Sequence, residues 1–274
     1  MTADQSGKTP DRLIAVDLDG TLMAPDNSVS AENIAAIEQA IGLGVTVVIV
    51  TGRPYVAADM VARKLGLPAV PLVAFNGAVI RWPNNGEMLR SFCVPADLAE
   101  EVVEQCMRDE VHLHYYLADE MYVTAYNKWV RIYCERNEMS YQVVPDMREF
   151  AGRQPVKLLG VAEPERIVQL FQQYQERWHD RLYVTRSMPE YVEFLSPQVS
   201  KGIALDWLID FYGIERNDTM AIGDSLNDVP MLERAGHPVA MPDSVEEFKR
   251  LAEFIPPEQR TGVAAAIDWF LELP

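Results

Sequence analysis

The stretch that decides the fold is Leu13-Ile14-Ala15-Val16-Asp17-Leu18-Asp19-Gly20-Thr21, a short apolar run that leads directly into two aspartates. Uniformly apolar runs of this length are typical of parallel strands that are buried on both faces of a sheet. Open α/β sheets bind their ligands at the carboxyl ends of such strands. An Asp-Gly pair also suits a plain turn, so this stretch by itself predicts a strand and favours a site without requiring one.

Apolar runs continue to alternate with amphipathic segments as far as Gly77, which is the pattern of parallel strands joined by helices. The predicted elements are a strand at Leu13 to Val16, a helix capped by Ser30 and ended by Gly42 and Gly44, a strand at Val45 to Val50, a helix whose first residue is Pro54, and a third strand at Pro71 to Phe75. After Ser196 the same pattern returns, with a helix through Leu205, Leu208, Ile209 and Tyr212, a strand at Thr219 to Gly223, and a helix from about Asp228.

Between about Trp82 and Phe194 the strands alternate polar and apolar residues, as in His112 to Leu117 and Met121 to Ala125. This pattern predicts a largely antiparallel sheet with one exposed face. Two helices are expected to pack on it, one through Leu98, Val102 and Cys106 and one through Ile167, Leu170, Phe171 and Tyr174. The predicted fold is α/β, an open parallel-sheet Rossmann-like core with an inserted α/β cap domain. Its predicted parts are a disordered tail at 1–11, the core at 12–81 and 195–274, and the cap at 82–194.

Two further strand ends carry polar groups. Thr51-Gly52-Arg53 offers a hydroxyl, a permissive backbone and a helix N-terminus that together suit a phosphate oxygen, although ordinary helix capping uses the same residues. Gly223-Asp224-Ser225-Leu226-Asn227-Asp228 adds two carboxylates and an amide at a third strand end. Because these carboxylates converge at one edge of the sheet and repel one another, the sequence predicts a divalent cation there, and oxygen ligands favour Mg²⁺.

Lys201 lies in the first turn of a helix, where its ammonium group is placed to contact a phosphoryl group.

Taken in order, Asp17-x-Asp19-Gly-Thr, Thr51-Gly-Arg, Lys201 and Gly-Asp224-x-x-Asn227-Asp228 resemble the four motifs of the haloacid dehalogenase superfamily. Phe75-Asn76-Gly77-Ala78 and Val199-Ser200-Lys201-Gly202 further resemble the Cof-type phosphatases, which carry a large α/β cap between the second and third motifs. The resemblance covers nearly the whole chain, but in the cap it is one of size and pattern only.

The resemblance implies phosphatase chemistry, with Asp17 as the nucleophile that becomes an aspartyl-phosphate and Asp19 as the general acid and base. It implies Mg²⁺ as the cofactor and a small phosphorylated metabolite, such as a sugar phosphate, as the substrate. The implied metal ligands are Asp17, the carbonyl of Asp19 and Asp224. Asp228 is implied either to bind the metal through a water molecule or to hold the other ligands in place. The implied phosphate-binding groups are Thr51, Gly52, Lys201, Asn227 and the backbone amide of Leu18.

One departure from the Cof-type pattern lies near the fourth motif, where Ala240-Met241 is followed by Pro242-Asp243 and not by Gly-Asn. Proline fixes φ and lacks an N–H group. The loop is therefore expected to follow a different path or to supply a carboxylate in place of an amide.

Several other residues are candidates for substrate or metal binding, and some of them also have a structural interpretation. Asn76, Arg53 and Arg186 are predicted substrate contacts, although Arg53 also suits an ion pair with a rim carboxylate. Tyr191 and Glu193 lie near the returning linker, where they are expected to face the cleft, although Tyr191 also suits ordinary strand packing. The last such set is His112 and His114, whose alternation would put two imidazoles on one face, but the sequence supplies no third metal ligand beside them and a role in packing is favoured.

Composition narrows the class of partner. The 274 residues include 41 acidic and 24 basic side chains, and a net charge of -17 disfavours nucleic acid and anionic membranes. Three cysteines without a CxxC pair, and no signal-peptide or membrane-spanning pattern, predict a cytoplasmic protein. The sequence predicts no oligomeric state. The alternatives to hydrolysis are a phosphotransferase or mutase, which product analysis would separate, and a non-catalytic binding module, which would lack magnesium-dependent turnover.

Overall fold

The computed structural model describes residues 10–67, 69–83 and 85–274. The prediction of a disordered tail at 1–11 therefore falls, for residues 1–9, outside the described residues. The core sheet has four parallel strands in the order β13-β12-β1-β2. These strands are β1 (Leu13–Val16), β2 (Thr46–Ile49), β12 (Thr219–Gly223) and β13 (His237–Ala240).

Helices cover both faces of the core sheet. They are α1 (Ala31–Gly42), α2 (Tyr55–Lys64), α6 (Lys201–Tyr212), α7 (Val229–Leu232), α8 (Glu246–Lys249) and α9 (Gly262–Glu272). Ile14 and Val16 pack with residues of α1 and α9, whereas Leu13 and Ala15 pack with residues of α6 and α7. Because successive strand residues point to opposite faces, a strand buried on both sides must be apolar throughout, as β1 is. The predicted α/β class is confirmed.

The third predicted strand needs a correction. It spans β3 (Leu72–Ala74) and pairs antiparallel in a separate sheet with β4 (Val79–Arg81), which pairs in turn with β5 (Met88–Ser91). A single bridge between Val50 and Val73 links this small sheet to the core sheet. The chain leaves β3 through Phe75–Gly77, where three successive residues have positive φ. The predicted helix start at Pro54 is off by one residue, since α2 begins at Tyr55.

The second large sheet has the strand order β10-β11-β9-β6-β7-β8 and is antiparallel except for the β7–β8 pair. Its strands are β6 (His112–Leu117), β7 (Glu120–Val123), β8 (Gln142–Val143), β9 (Lys157–Val161), β10 (Tyr183–Thr185) and β11 (Tyr191–Leu195). Its helices are α3 (Ala96–Arg108), α4 (Lys128–Asn137) and α5 (Pro164–Arg177). We call residues 92–195 the cap and the rest of the described chain the core.

The prediction of an exposed face on this sheet is wrong. Helices α3 and α5 cover one face, as predicted, but the opposite face packs against α4. Helix α4 begins after Asn127, whose side chain accepts hydrogen bonds from the Trp129 and Val130 N–H groups. Val130 and Tyr133 on α4 are buried together with Tyr116 and Leu159 of the sheet. The missed helix matters because it faces the core and contributes to the site described below. Among the described residues, no helix is long and apolar enough to cross a membrane.

Candidate active site

The predicted catalytic residues meet at the carboxyl edge of the core sheet. Asp17 follows β1 directly and its N–H group donates to the Ile222 carbonyl of β12 at 3.1 Å. Thr51 lies just beyond β2 and Asp224 just beyond β12. Because these three strands are parallel neighbours, residues that follow their carboxyl ends lie side by side.

Three carboxylates form a compact acidic group. Asp17, Asp224 and Asp228 each offer an oxygen, and these oxygens all lie within 4.8 Å of one another. Asp224 is further held by the Thr21 hydroxyl at 3.2 Å and the Ser225 hydroxyl at 3.0 Å. Burial, together with the neighbouring Asp228, raises the pKa of Asp224 to about 7. Carboxylates this crowded and buried fit a hard divalent cation such as Mg²⁺.

A buried lysine stands among these carboxylates. Lys201 is fully buried, and its Nζ donates to Asp17 Oδ1 at 2.5 Å and also to Asp228 Oδ1. Burial raises the pKa of Asp17 well above its usual range, and Lys201 opposes that rise. Burial alone would lower the pKa of Lys201, but Asp17 and Asp228 raise it on balance, so the ammonium stays charged.

Asp228 has both of its carboxylate oxygens engaged. Oδ1 accepts from Lys201, and Oδ2 accepts from the N–H groups of Asp224 at 3.1 Å and Ser225 at 3.0 Å. These bonds fix the loop that carries Asp224. The geometry therefore favours a supporting role for Asp228 behind Asp17 and Asp224, because a carboxylate with three donors has little capacity left for direct coordination.

The predicted phosphate-binding residues surround the same edge. Thr51 is fully buried and its hydroxyl accepts from the Arg53 N–H group at 3.1 Å. Gly52 packs so closely that an added Cβ would lie 3.0 Å from Asn76 Oδ1. Asn227 donates through Nδ2 to that same oxygen at 2.9 Å. The side chain of Leu18 is buried in the core, so only its backbone can face a ligand.

The three predicted substrate contacts lie in different places. Arg53 forms a two-pronged ion pair with Asp19, with Nε at 2.8 Å and Nη2 at 2.5 Å from its carboxylate oxygens. Asn76 is fully buried with φ 56°, and Nδ2 donates to Glu193 Oε2 at 3.0 Å, so both ends of its amide contact protein. Arg186 lies apart, donating to the Pro189 carbonyl, and it does not line the cavity between core and cap.

Cap residues that the sequence reasoning missed complete this cavity. Tyr133, Arg136 and Asn137 project from α4, and Lys157 begins β9. The sequence signal for Lys157 was its position as the first residue of an otherwise apolar strand, because a buried charge requires a partner. The available signal for α4 was Asn127, a good helix N-cap ahead of apolar residues. Tyr191 and Glu193, which the sequence placed near the returning linker, also line the cavity.

The loop that departs from the Cof-type pattern is tied to the catalytic edge through a distant glutamine. The Met241 N–H group donates to the Gly223 carbonyl at 3.0 Å. Gln259 accepts from the Asp243 N–H group at 3.1 Å and donates through Nε2 to the Gly20 carbonyl. The Asp243 side chain remains exposed. The Met241 and Asp243 N–H groups and the Gln259 side chain therefore hold the loop, and none of these bonds needs the N–H group that Pro242 lacks.

Of the two histidines of β6, His114 is fully buried in the cap interior and His112 is half-buried. Their ring centroids are 5.2 Å apart, and the His114 ring packs edge-on against Tyr133 at 5.0 Å. Within residues 10–67, 69–83 and 85–274, the one group of three or more acidic, His or Cys side chains with the spacing to hold a metal is Asp17, Asp224 and Asp228. This supports the packing interpretation of His112 and His114.

Comparison with known proteins assigns the family. A family model of haloacid dehalogenase-like hydrolases matches residues 14–267, and the chain belongs to this family. It is 30% identical over 249 residues to the HMP-PP phosphatase of Serratia proteamaculans, covering 88% of this chain and 87% of the relative. It is 28% identical to the 5-amino-6-(5-phospho-D-ribitylamino)uracil phosphatase YwtE of Bacillus subtilis, covering 95% of this chain and 98% of the relative.

The fold is also found in solved structures. The crystal structure of TM0651 from Thermotoga maritima matches with a TM-score of 0.79 and 28% identity, over 94% of this chain and 97% of that chain. Family, fold class and phosphatase class, each predicted from sequence, are confirmed. The protein is an enzyme of the phosphatase type.

Proposed function

We propose that this protein is a magnesium-dependent phosphatase that hydrolyses a small phosphorylated metabolite through an aspartyl-phosphate on Asp17. The observation that carries the proposal is the contact of the Lys201 ammonium with both Asp17 and Asp228, next to Asp224, at the edge where three parallel strands end. The relatives named above are phosphatases of small phosphorylated compounds. Their names support the class of substrate without selecting one.

Asp17 is the proposed nucleophile. One of its carboxylate oxygens attacks phosphorus as the bond to the leaving oxygen breaks, and Lys201 holds the other oxygen. The Lys201 charge opposes the rise in the Asp17 pKa that burial causes, and so favours the ionised carboxylate that the attack requires. Thr51, Lys201, Asn227 and the Leu18 amide orient the phosphoryl oxygens. Their contribution is electrostatic, since phosphoryl transfer depends mainly on positioning and charge stabilisation.

Asp19 is the proposed general acid and base. It gives a proton to the departing oxygen and later removes one from the water that attacks phosphorus, which regenerates Asp17. The two-pronged contact with Arg53 fixes the orientation of Asp19. Arg53 also donates to the Arg136 carbonyl of the cap at 3.3 Å, so the position of Asp19 is tied to that of the cap.

Asp17 and Asp224 are the proposed side-chain ligands of Mg²⁺, together with the carbonyl of Asp19, and Asp228 supports them. When bound, the cation neutralises the carboxylates and the charge that develops on the phosphoryl group. The acidic group by itself is consistent with other divalent cations, and the choice of Mg²⁺ rests on its preference for oxygen ligands and phosphate.

The test is hydrolysis of 4-nitrophenyl phosphate by purified protein with and without Mg²⁺, followed by a trapping experiment. Asp19→Asn is expected to accumulate a phosphoenzyme, because the base that activates water is gone. Intact-mass spectrometry then detects one added phosphoryl group, and the adduct disappears in Asp17→Asn/Asp19→Asn. Asp210→Asn, on the exposed side of α6, is the matched control and is expected to turn over normally. Phosphorylation that persists without Asp17 would move the nucleophile elsewhere.

A further inference from the structure

A chain of hydrogen bonds runs from the cap to the phosphate-binding edge of the core. It begins at Glu193 of β11 and passes through Asn76, in the turn after β3. Asn76 Nδ2 donates to Glu193 Oε2 at 3.0 Å, and Asn76 Oδ1 accepts from Asn227 Nδ2 at 2.9 Å. All three side chains are buried. They therefore form a continuous polar path, shielded from bulk water, from a cap strand to a proposed phosphate-binding residue.

The core backbone holds Asn76 in place. Its N–H group donates to the Thr51 carbonyl at 2.9 Å, and the Phe75 N–H group donates to the Arg53 carbonyl at 2.9 Å. These two bonds fix the turn against the loop that follows β2. The φ of Asn76 is 56°, in the left-handed region that Asn tolerates better than most residues. The position of Asn76 is thus set by the core, and only the orientation of its amide remains to be fixed.

The Glu193 carboxylate fixes that orientation. The two ends of an amide have nearly the same size, one being a donor and the other an acceptor, so shape alone does not orient it. Glu193 Oε2 also accepts from the Lys157 ammonium at 2.9 Å. A carboxylate paired with an ammonium group offers only acceptors, so Asn76 has to present Nδ2 to it. Oδ1 of Asn76 is thereby turned toward Asn227.

The same constraint passes on to Asn227. Because Asn76 presents an oxygen, Asn227 has to present Nδ2, and its own Oδ1 is buried without a hydrogen-bond partner in the described part of the chain. Asn227 also lines the cavity between core and cap. Its Nδ2 carries a second hydrogen, which is the kind of group that a phosphoryl oxygen accepts from. In the reverse orientation, a carbonyl oxygen would take the place of Nδ2 and would repel the phosphoryl group.

Gly52 provides the space for these contacts. A Cβ at residue 52 would lie 3.0 Å from Asn76 Oδ1 and 3.5 Å from Asn227 Nδ2. The Gly52 carbonyl accepts from Lys157 Nζ at 2.9 Å. The Lys157–Glu193 ion pair of the cap therefore contacts the core at two points, Gly52 and Asn76, and both lie beside the phosphate-binding edge.

We propose that Glu193 is a positioning residue that acts through Asn76 to orient the Asn227 amide, so that an N–H group faces the transferred phosphoryl group. This rests on the proposed function, since it concerns how Asn227 is presented to the substrate. Asn76, which the sequence predicted as a substrate contact, has the same positioning role. A cap strand thus contributes to the reaction in the core without touching the phosphoryl group.

Asn76→Gly breaks the chain in its middle. Glycine accepts the positive φ, and the Lys157–Glu193 pair stays intact, so no buried charge loses its partner. The kcat/KM for 4-nitrophenyl phosphate is expected to fall by about 10- to 100-fold, the effect of losing a hydrogen bond to a charged group. The control is Asp180→Gly, at an exposed residue with φ 60°, which is expected to leave kcat/KM unchanged. Urea midpoints check that each variant is folded.

A second variant breaks the chain at its cap end. Lys157→Met/Glu193→Met removes the ion pair as a unit and leaves neither charge unpaired, and kcat/KM is expected to fall by about tenfold. Lys157→Met/Glu193→Gln restores an oxygen that Asn76 Nδ2 can donate to, and is expected to recover part of that loss. Because the Asn76 and Glu193 variants break different links, either one tests the proposal if the other does not fold.

A double-mutant cycle separates positioning from a purely structural effect. In an Asn227→Ala background the amide to be oriented is gone, so Asn76→Gly and Lys157→Met/Glu193→Met should each lower kcat/KM by no more than about twofold further. Calorimetric titration with inorganic phosphate repeats the comparison without turnover, and the affinity is expected to follow the same pattern.

Equal fold losses with and without the Asn227 amide would overturn the proposal, because a structural effect does not depend on that amide. A wild-type kcat/KM and phosphate affinity for Asn76→Gly would overturn it as well. Absence of 4-nitrophenyl phosphate hydrolysis by the wild type would instead defeat the proposed function, and the phosphate titrations would still measure the positioning of Asn227.

Discussion

The two sides of the cleft are built in different ways. On the core side, the functional groups follow the ends of adjacent strands, so the backbone itself brings Asp17, Thr51 and Asp224 together. On the cap side, the lining groups come from one helix, two strands and a loop, and side-chain contacts such as Lys157 with Glu193 hold them. The arrangement of the core side is therefore set by the strand topology, whereas that of the cap side depends on pairwise contacts that single substitutions can change.

The largest effect is expected from the core side, with Asp17→Asn. An amide retains the size of the carboxylate but is a poor nucleophile and a weaker metal ligand, so kcat should fall by at least about a thousandfold. Circular dichroism and the urea midpoint check that the fold persists. Activity near that of the wild type would show that the strand-end arrangement does not carry the chemistry.

Lys157→Met tests the contact that links the two sides. It leaves Glu193 buried without its cation and is expected to lower the free energy of unfolding by about 3–5 kcal/mol. Lys157→Met/Glu193→Gln should recover part of that loss, because the unpaired charge is gone. The control is Lys128→Met, which breaks an exposed pair and should lower the free energy of unfolding by about 1 kcal/mol at most. Equal urea midpoints for both lysine variants would contradict the expectation.

Arg53→Lys tests the contact that links the cap to Asp19, the proposed acid-base residue. An ammonium cannot reproduce the two-pronged guanidinium contact with Asp19, so kcat is expected to fall by about tenfold with a smaller change in KM. Steady-state kinetics with 4-nitrophenyl phosphate measure this. Arg63→Lys, which alters a pair with Asp59 on the surface of α2, is the control. A wild-type kcat for Arg53→Lys would mean that Asp19 does not need this orientation.

The smallest effect is expected in the cap interior, at His114. It is fully buried, and neither ring nitrogen has a hydrogen-bond partner within the described part of the chain. Burial lowers its pKa well below the ordinary 6.5. At pH values between that lowered pKa and 6.5, His114 is protonated in the unfolded chain but not in the folded protein. The free energy of unfolding should therefore decrease as pH falls below 6.5.

His114→Leu should remove that part of the pH dependence, which is at most about 1.4 kcal/mol per pH unit for one proton. Urea unfolding on both sides of the histidine titration measures the slope for wild type and variant. The control is His179→Leu, at an exposed site, which should leave the slope unchanged. A variant slope equal to that of the wild type would mean that His114 is protonated equally in both states.

The sequence predicted the core well because its signals are local. Three of the four core strands, β1, β2 and β12, are apolar runs with the functional residues just after them in the chain, so strand and residues are predicted together, as in Leu13 to Asp19. Strand β13, His237–Ala240, was not predicted. The cap was predicted less well because α4 is short, polar on its outer side and rich in aromatic residues, which obscures its helical period. Lys157 reaches Gly52 across 105 residues, and no local pattern encodes such a contact. The sequence placed Arg186 near the cleft but could not show in which direction its side chain points.

The position of Lys201 bears on whether the chain can fold without a bound metal. Its ammonium stands between Asp17 and Asp228, so the catalytic edge contains an internal counter-ion that is part of the chain itself. Some small metal-binding domains depend on metal to fold, and chelators denature them. In this protein Lys201 offsets part of the acidic charge from within the chain, so this edge is expected to fold without a bound cation. If the proposed Mg²⁺ binds here, removing it is expected to abolish activity and leave the chain folded.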